Sequence, residues 1–197
     1  MDFYFTLDAD GFAEYKDRGS KFLAYSYPLK SAEELKKYLQ TLKKEHPKAV
    51  HYCFAYRLGY DGNNHRASDD GEPAGTAGKQ ILGQIDSKNL TNTLIIVVRY
   101  FGGTLLGVPG LINAYKTAAS LVLQCTPITQ KAVEEDYVLE FDYTSMNDVM
   151  LILKQYNCTI HKNETQLFCK IEAGIPKNKK IEVLGALSNI QNVAVLQ

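Results

Sequence analysis

The residue types best suited to chemistry are concentrated in two glycine-rich segments, and the first of these covers residues 66–79. Asp69, Asp70 and Glu72 place three carboxylates within four positions of this segment. Adjacent carboxylates repel each other unless a cation, a metal ion or backbone amides compensate their charge. Mg²⁺ is commonly held by one or two protein carboxylates together with phosphate oxygens. These three residues are therefore possible metal ligands, with turn and capping roles as the structural alternative.

The same segment also predicts an anion-binding site. Thr76 is placed to cap a helix that runs to about residue 85, which leaves the backbone amides near Gly75, Gly78 and Lys79 without helical partners. Free amides at the start of a helix attract anions. Arg66 and Lys79 would add positive charge on either side of the loop.

The second segment covers residues 99–115, and its pattern is typical of a strand, a glycine-rich turn and a helix. Such a turn directs amides and the positive end of the helix dipole toward whatever lies above it. Five residues of the segment are candidates for an anion- or nucleic-acid-binding surface: Arg99, Tyr100, Gly102, Gly103 and Gly107. The structural alternative is that the glycines permit positive φ and close packing of the helix on the strand.

Catalysis has little support in the sequence. Neither segment contains the dinucleotide-binding pattern or a nucleophile elbow, and the four widely spaced cysteines fit no zinc template. We therefore expect a non-catalytic binding protein without a cofactor. The alternative is a phosphate-handling, Mg-dependent enzyme that uses Asp69, Asp70 and Glu72.

Composition narrows the choice of partner and compartment. The chain carries 22 basic and 22 acidic side chains, which argues against a general nucleic-acid coat protein but permits a local basic patch. The longest apolar run, residues 94–98, is too short to cross a bilayer, and the N-terminus lacks a secretory pattern. These features predict a cytoplasmic protein that does not associate with membranes.

The pattern of elements predicts an α+β protein of two domains. In the first domain, residues 1–127, it indicates strands at 22–27, 50–58 and 95–100 and helices at 31–45, 76–85 and from 109 onward. Ser31 and Glu34 form a predicted capping box. The second domain, residues 131–197, has the order βαββαβ, with strands at 132–142, 158–162, 166–173 and 192–196 and helices at 145–156 and 176–188. Twelve of the 14 glycines lie in the first domain, which places the functional surface there.

Taken together, the two segments resemble the signature of the IMPACT/YigZ family. The acid–glycine stretch of that family matches residues 69–79. Its second signature matches residues 99–103 and then Leu106-Gly107, Gly110-Leu111 and Ala114-Tyr115. The motifs, their order and their spacing all match, and the resemblance covers the whole chain as the bacterial two-domain type. Asn113 departs from the family pattern, because arginine is common there, and this weakens the argument for a phosphate-reading basic cluster.

The resemblance implies a fold more than a reaction. The first domain would resemble domain IV of elongation factor G, a fold shared with a ribosomal-protein second domain, and the second domain would be ferredoxin-like. Eukaryotic relatives act in translational control by competing for an activator of the kinase that phosphorylates an initiation factor. By analogy we expect a protein linked to translation that contacts RNA, the ribosome or a protein partner through both segments. The sequence leaves open which partner it binds and its oligomeric state.

Overall fold

The computed structural model describes residues 2–166 and 168–197 and divides them into two compact units. The N-terminal unit comprises residues 4–131, and the C-terminal unit comprises residues 2–3 and 132–197. Both units combine strands and helices, which confirms the predicted α+β class. The predicted domain bounds and the names of the two domain folds stay predictions.

The N-terminal unit is built around a five-stranded antiparallel sheet in the order β2-β3-β6-β4-β5, and β1 and β7 pair with each other. The elements, in chain order, are β1 Phe3–Leu7, β2 Gly11–Asp17, β3 Ser20–Pro28, α1 Glu34–Glu45, β4 His51–Leu58, β5 Asn64–Ser68, α2 Gly78–Ser87, β6 Thr93–Tyr100, α3 Gly107–Cys125 and β7 Ile128–Ala132.

Both faces of this sheet are covered. Ile95 and Val97 of β6 belong to the core beneath α2 and α3, whereas Leu94 and Ile96 belong to the core beneath α1. Because successive residues of a strand point to opposite faces, a central strand covered on both sides needs apolar residues at every position. This requirement explains the unbroken apolar run in β6.

The C-terminal unit has the element order βαββαβ and an antiparallel sheet in the order β11-β8-β10-β9. Its elements are β8 Glu134–Phe141, α4 Met146–Gln155, β9 Thr159–Thr165, β10 Cys169–Pro176, α5 Lys180–Ser188 and β11 Val193–Leu196. Leu139 and Ile171 of the sheet pack with Val149 of α4 and Val183 of α5 in one core. None of the helices in the described parts of the chain is long and apolar enough to cross a membrane.

The sequence predictions differ from the structure at two helix starts and at four short strands. The capping box at Ser31 is wrong, because α1 begins at Glu34 and the Glu34 carboxylate accepts the Lys30 N–H at 2.8 Å. The last helix begins at Lys180, after a 3₁₀ turn over Lys177–Lys179. Four short strands of the N-terminal unit, β1, β2, β5 and β7, were not predicted.

Candidate functional site

The sheet topology brings the two glycine-rich segments to one end of the five-stranded sheet. His51, the first residue of β4, pairs with Arg99 of β6, and Ser68, the last residue of β5, pairs with Phe54 of β4. The first segment therefore leaves β5 beside the start of β4, and the second segment leaves β6 at the same end.

An open groove of about 430 Å³ lies between the segments, and we call it the signature groove. Its polar lining residues are His51, Glu72 and Arg99. Its apolar lining includes Val50 and three side chains from the second segment, Phe101, Leu105 and Val108. The groove thus combines a polar base with an apolar rim.

A buried ion pair at the base joins the two segments. Arg99 Nη1 donates to Glu72 Oε1 at 2.6 Å, and the two side chains are only 6% and 3% exposed. The hydroxyl of the fully buried Tyr115 donates to the same oxygen at 2.7 Å. A carboxylate removed from water is costly unless it is paired and hydrogen-bonded. Glu72 meets both conditions through residues of the second segment alone.

His51 completes the polar base. Its Nδ1 lies 2.8 Å from the Asp70 carbonyl oxygen, and because a carbonyl can only accept, Nδ1 carries the donated proton. In the neutral ring, Nε2 is then an acceptor, and it lies 3.9 Å from Glu72 Oε1. The imidazole is therefore oriented by the backbone of the first segment.

The Cys53 thiol, next to the polar base of the groove, is not an activated nucleophile. Burial raises the pKa of the Cys53 thiol, and burial likewise raises the pKa of the Tyr115 hydroxyl next to it. The thiol donates to the Asp69 carbonyl at 3.0 Å and lies 3.3 Å from the Tyr115 oxygen. A thiol must ionise to act as a nucleophile, so Cys53 has a structural role.

The predicted anion seat at the start of α2 is filled by the protein itself. Asp69 Oδ2 accepts the Gly75 N–H at 2.8 Å, and Asp69 Oδ1 accepts the N–H groups of Ala77 and Gly78 at 3.0 and 2.8 Å. Thr76 does not cap the helix, since its hydroxyl donates to the Pro73 carbonyl at 2.7 Å. These amides are not free for an external anion, which corrects the expectation from the sequence.

Replacing Asp69 by alanine should lower the free energy of unfolding by about 1.5–3 kcal/mol, because several amides lose a charged acceptor. Urea unfolding followed by circular dichroism measures the change. Asp10→Ala is the matched control, since Asp10 is exposed and its loss should change stability by no more than about 0.5 kcal/mol. Equal effects of the two substitutions would contradict the role assigned to Asp69.

The acid sensitivity of this contact follows from the pKa of Asp69. Burial raises that pKa, but the amide bonds from Gly75, Gly78 and Ala77 outweigh it and hold the pKa below its ordinary value. The stabilisation is therefore complete above the unfolded-state pKa of about 3.9 and is lost as the pH falls through the lower folded-state pKa. Asp69→Ala should accordingly flatten the stability curve on the acid side of about pH 4.

The three possible metal ligands do not share a centre. Asp69 binds the α2 amides, Asp70 Oδ2 accepts the Tyr52 N–H at 2.7 Å, and Glu72 pairs with Arg99. Across residues 2–166 and 168–197, no group of three or more His, Cys, Asp or Glu residues is placed to hold a metal ion. Each carboxylate is compensated by protein donors instead.

The three cations of the predicted anion- or nucleic-acid-binding surface do not converge either. Arg99 is buried in its ion pair. Arg66 lies 5.6 Å from the centre of the Phe54 ring, on the α1 face of the sheet, whereas the exposed Lys79 is on α2 at the opposite face. Tyr100 also lies on the α1 face, where its hydroxyl is 3.0 Å from His46 Nδ1.

The signature glycines have steric roles. A Cβ on Gly78 would lie 2.6 Å from the Ser68 nitrogen, and a Cβ on Gly102 would lie 1.9 Å from the Gly19 carbonyl carbon. The Gly102 N–H also donates to Ser20 Oγ at 3.2 Å. Gly75, Gly103 and Gly107 have φ values of 76°, 84° and 70°. Close approach and left-handed backbone therefore account for all five positions.

Comparison with known proteins identifies the family. The Impact N-terminal domain matches residues 18–123, which include both segments and the groove. The chain belongs to the IMPACT family. This confirms the resemblance on which the sequence interpretation relied.

Two bacterial relatives are similar over most of the chain. The IMPACT family member YigZ of Escherichia coli (strain K12) is 31% identical over 172 residues, which are 86% of this chain and 84% of the relative. The IMPACT family member YvyE of Bacillus subtilis (strain 168) is 34% identical over 146 residues, or 74% and 67% of the two chains. A crystal structure described as that of a hypothetical protein has a TM-score of 0.77 and 28% identity, and the match covers 100% of this chain and 97% of that one.

Sequence reasoning missed two contributors to the site of this IMPACT family member. Tyr115 entered the sequence interpretation only as a position of the family signature, whereas in the structure it is buried and its hydroxyl is part of the ion-pair cluster. A buried tyrosine hydroxyl generally needs a partner, and this was the available signal. Ser20, whose hydroxyl accepts the Gly102 N–H, is the first residue of β3 and gave no signal in the sequence.

Proposed function

We propose that this IMPACT family protein is a non-catalytic binding protein linked to translation or its regulation, and that it contacts a protein partner through the signature groove. The link to translation is supported by membership of the family, whose eukaryotic members the resemblance associates with translational control through a protein partner. The choice of surface is supported by the groove itself.

The observation that carries the proposal is the apolar rim. Leu105 is 82% exposed, Val108 is 51% exposed and Phe101 is 48% exposed, and all three belong to one short stretch of the second segment. Contiguous exposed apolar patches on a soluble surface commonly mark interaction sites. An aromatic ring and aliphatic side chains around a concave centre are the usual composition of the core of a protein interface.

The electrostatics favour a protein over RNA at this surface. Binding of single-stranded RNA requires cations that follow the phosphate backbone and aromatic rings that stack on bases. Phe101 could supply a ring, but Arg99 is neutralised by Glu72, and Arg66 and Lys79 lie on opposite sides of the sheet. Direct contact with RNA, including the RNA of the ribosome, is therefore the alternative outcome of the test.

We expect the full-length protein, used as bait in a bacterial lysate, to capture a ribosomal protein or translation factor that stays bound after ribonuclease treatment. Leu105→Ser should reduce this capture about fivefold or more, because truncating an interface anchor commonly costs more than 1 kcal/mol. Ile181→Ser is the matched control, since Ile181 is 88% exposed and lies in the C-terminal unit.

Three results would count against the proposal. Loss of the captured protein on ribonuclease treatment would favour RNA as the direct ligand. Equal capture by the wild type and Leu105→Ser would exclude the groove as the contact surface. Capture only of proteins unrelated to translation would contradict the link to translation.

A further inference from the structure

The polar base of the signature groove offers acceptors. Glu72 Oε1 takes both the Arg99 and the Tyr115 hydrogen bonds, and no described residue donates to Glu72 Oε2. In the neutral ring, His51 Nε2 is also an acceptor, because the ring proton is on Nδ1 and is donated to the Asp70 carbonyl. The Glu72 side chain is 3% exposed, and Arg99 Nε is the one fully buried side-chain nitrogen or oxygen without a partner among the described residues. Glu72 Oε2 is therefore open to the groove, where a ligand can donate to it.

The acidic and basic side chains that line the groove beside His51 are Glu72 and Arg99. Arg99 contacts the carboxylate through Oε1, which leaves Oε2 without a donor among the described residues. Because a carboxylate oxygen makes its strongest hydrogen bonds with charged donors, the unused acceptors favour a ligand that donates hydrogen bonds and carries positive charge.

We propose that the signature groove binds a cationic nitrogen group attached to an apolar body. In a protein partner this group would be a lysine or arginine side chain flanked by apolar residues. Its nitrogen would donate to Glu72 Oε2 and His51 Nε2, while the apolar part would contact Phe101 and Leu105. This inference rests on the proposed function and specifies the chemistry of the partner segment.

Hydrogen-bond donors near the groove would favour an acidic ligand instead. The first turn of α3 begins at Gly107 at the groove rim and has no side-chain cap. An acidic group could use its amides. Arg99 Nε, by contrast, is buried and without a partner among the described residues, so solvent does not reach it. A preference for carboxylates would therefore show that the start of α3, and not the Glu72–His51 pair, selects the ligand.

Three probes that share a phenylethyl group and differ in their polar group separate these possibilities: 2-phenylethylamine, 2-phenylethanol and 3-phenylpropanoate. Binding to the full chain is followed by two-dimensional NMR of backbone amides. We expect the amine to shift residues of the groove and to bind about tenfold more tightly than the alcohol, as one charged hydrogen bond would give. The carboxylate should bind more weakly than the alcohol. Equal binding of the three probes, or a preference for the carboxylate, would overturn the inference.

Two variants test whether the polar base of the groove causes the preference for the amine over the alcohol. His51→Leu should reduce the amine–alcohol ratio to about threefold or less, since one of two acceptors is lost. Glu72→Gln should abolish the ratio, and circular dichroism reports whether that variant folds. Leu105→Ser should weaken the amine and the alcohol by the same factor. An unchanged ratio in His51→Leu and in folded Glu72→Gln would contradict the assignment.

This inference and the proposed function can fail independently of each other. If Leu105→Ser abolishes partner capture but the amine shows no preference, the groove binds a protein and this inference fails alone. If the amine preference is present but partner capture is unaffected by Leu105→Ser, the proposed function fails alone.

Discussion

Replacing Arg99 by alanine should destabilise the N-terminal unit by about 3–5 kcal/mol, which is the usual cost of leaving one member of a buried ion pair without its partner. Arg99 donates to Glu72 at 2.6 Å in a site where both side chains are almost fully buried. The substitution would leave the Glu72 carboxylate with the Tyr115 hydroxyl as its only short contact among the described residues. The loss exceeds that expected for a surface arginine, because the Glu72 side chain is only 3% exposed and water can compensate little of the lost contact.

Urea unfolding gives the free energy, and hydrogen exchange of β4 and β6 assigns the change to the N-terminal unit. Arg66→Ala is the matched control, because Arg66 is exposed and surface substitutions usually change stability by about 0.5 kcal/mol or less. A loss below about 1 kcal/mol in Arg99→Ala would contradict the role of the pair.

A double substitution tests the cause of that loss. Replacing a whole buried ion pair by apolar side chains is often neutral, whereas removing one partner is not. We therefore expect Glu72→Met with Arg99→Met to be more stable than Arg99→Met alone. If the double variant is instead less stable than either single variant, the cost comes from lost packing and not from an unpaired charge.

The second large effect is expected at Gly102. Replacing Gly102 by alanine should cost about 3 kcal/mol, at the upper end of the usual range for overpacking. The added Cβ would lie 1.9 Å from the Gly19 carbonyl carbon and 2.1 Å from the Ser20 nitrogen. Both are backbone atoms, so no side-chain rotation relieves the overlap, and the β2–β3 connection must move away from the second segment.

Gly83→Ala is the control for this prediction. Gly83 lies inside α2, and a Cβ there would meet no atom within 4 Å. Alanine is favoured over glycine in a helix interior by about 0.5–1 kcal/mol, so this variant should be more stable than the wild type. Thermal unfolding of the two variants should give shifts of opposite sign. Shifts of the same sign would show that the close approach at Gly102 is not rigid.

The elements that were predicted well are those with a continuous pattern of apolar residues. The apolar run of β6 and the helical spacing of α3 have a clear period, and both elements were found near their observed bounds. β5 was missed because Asn64–Ser68 is a polar edge strand with mostly exposed side chains. Edge strands of this kind carry little apolar alternation, so their pairing depends on neighbours that are distant in sequence.

The glycines and acids of the sequence pointed to the two segments that meet at the groove, but the electrostatics of the groove were not predicted. Arg99 has the same strand parity as Ile95 and Val97, which places it on the face of β6 that α2 and α3 cover. That parity was available in the sequence. The partner was not, because Glu72 lies 27 residues away along the chain in a loop without periodicity. Whether a charged residue is free or paired depends on such distant contacts.

The ion pair at the base of the groove also constrains how the sequences of the two segments can change during evolution. Glu72 belongs to one segment, and its two donors, Arg99 and Tyr115, belong to the other. A change of charge in either segment therefore removes the compensation on which the other depends. We therefore expect that one segment can be exchanged between distant members of the family only if both supply the same acidic and basic residues. The two segments should change as a matched set, whereas the exposed rim, which holds no such pair, is free of this constraint.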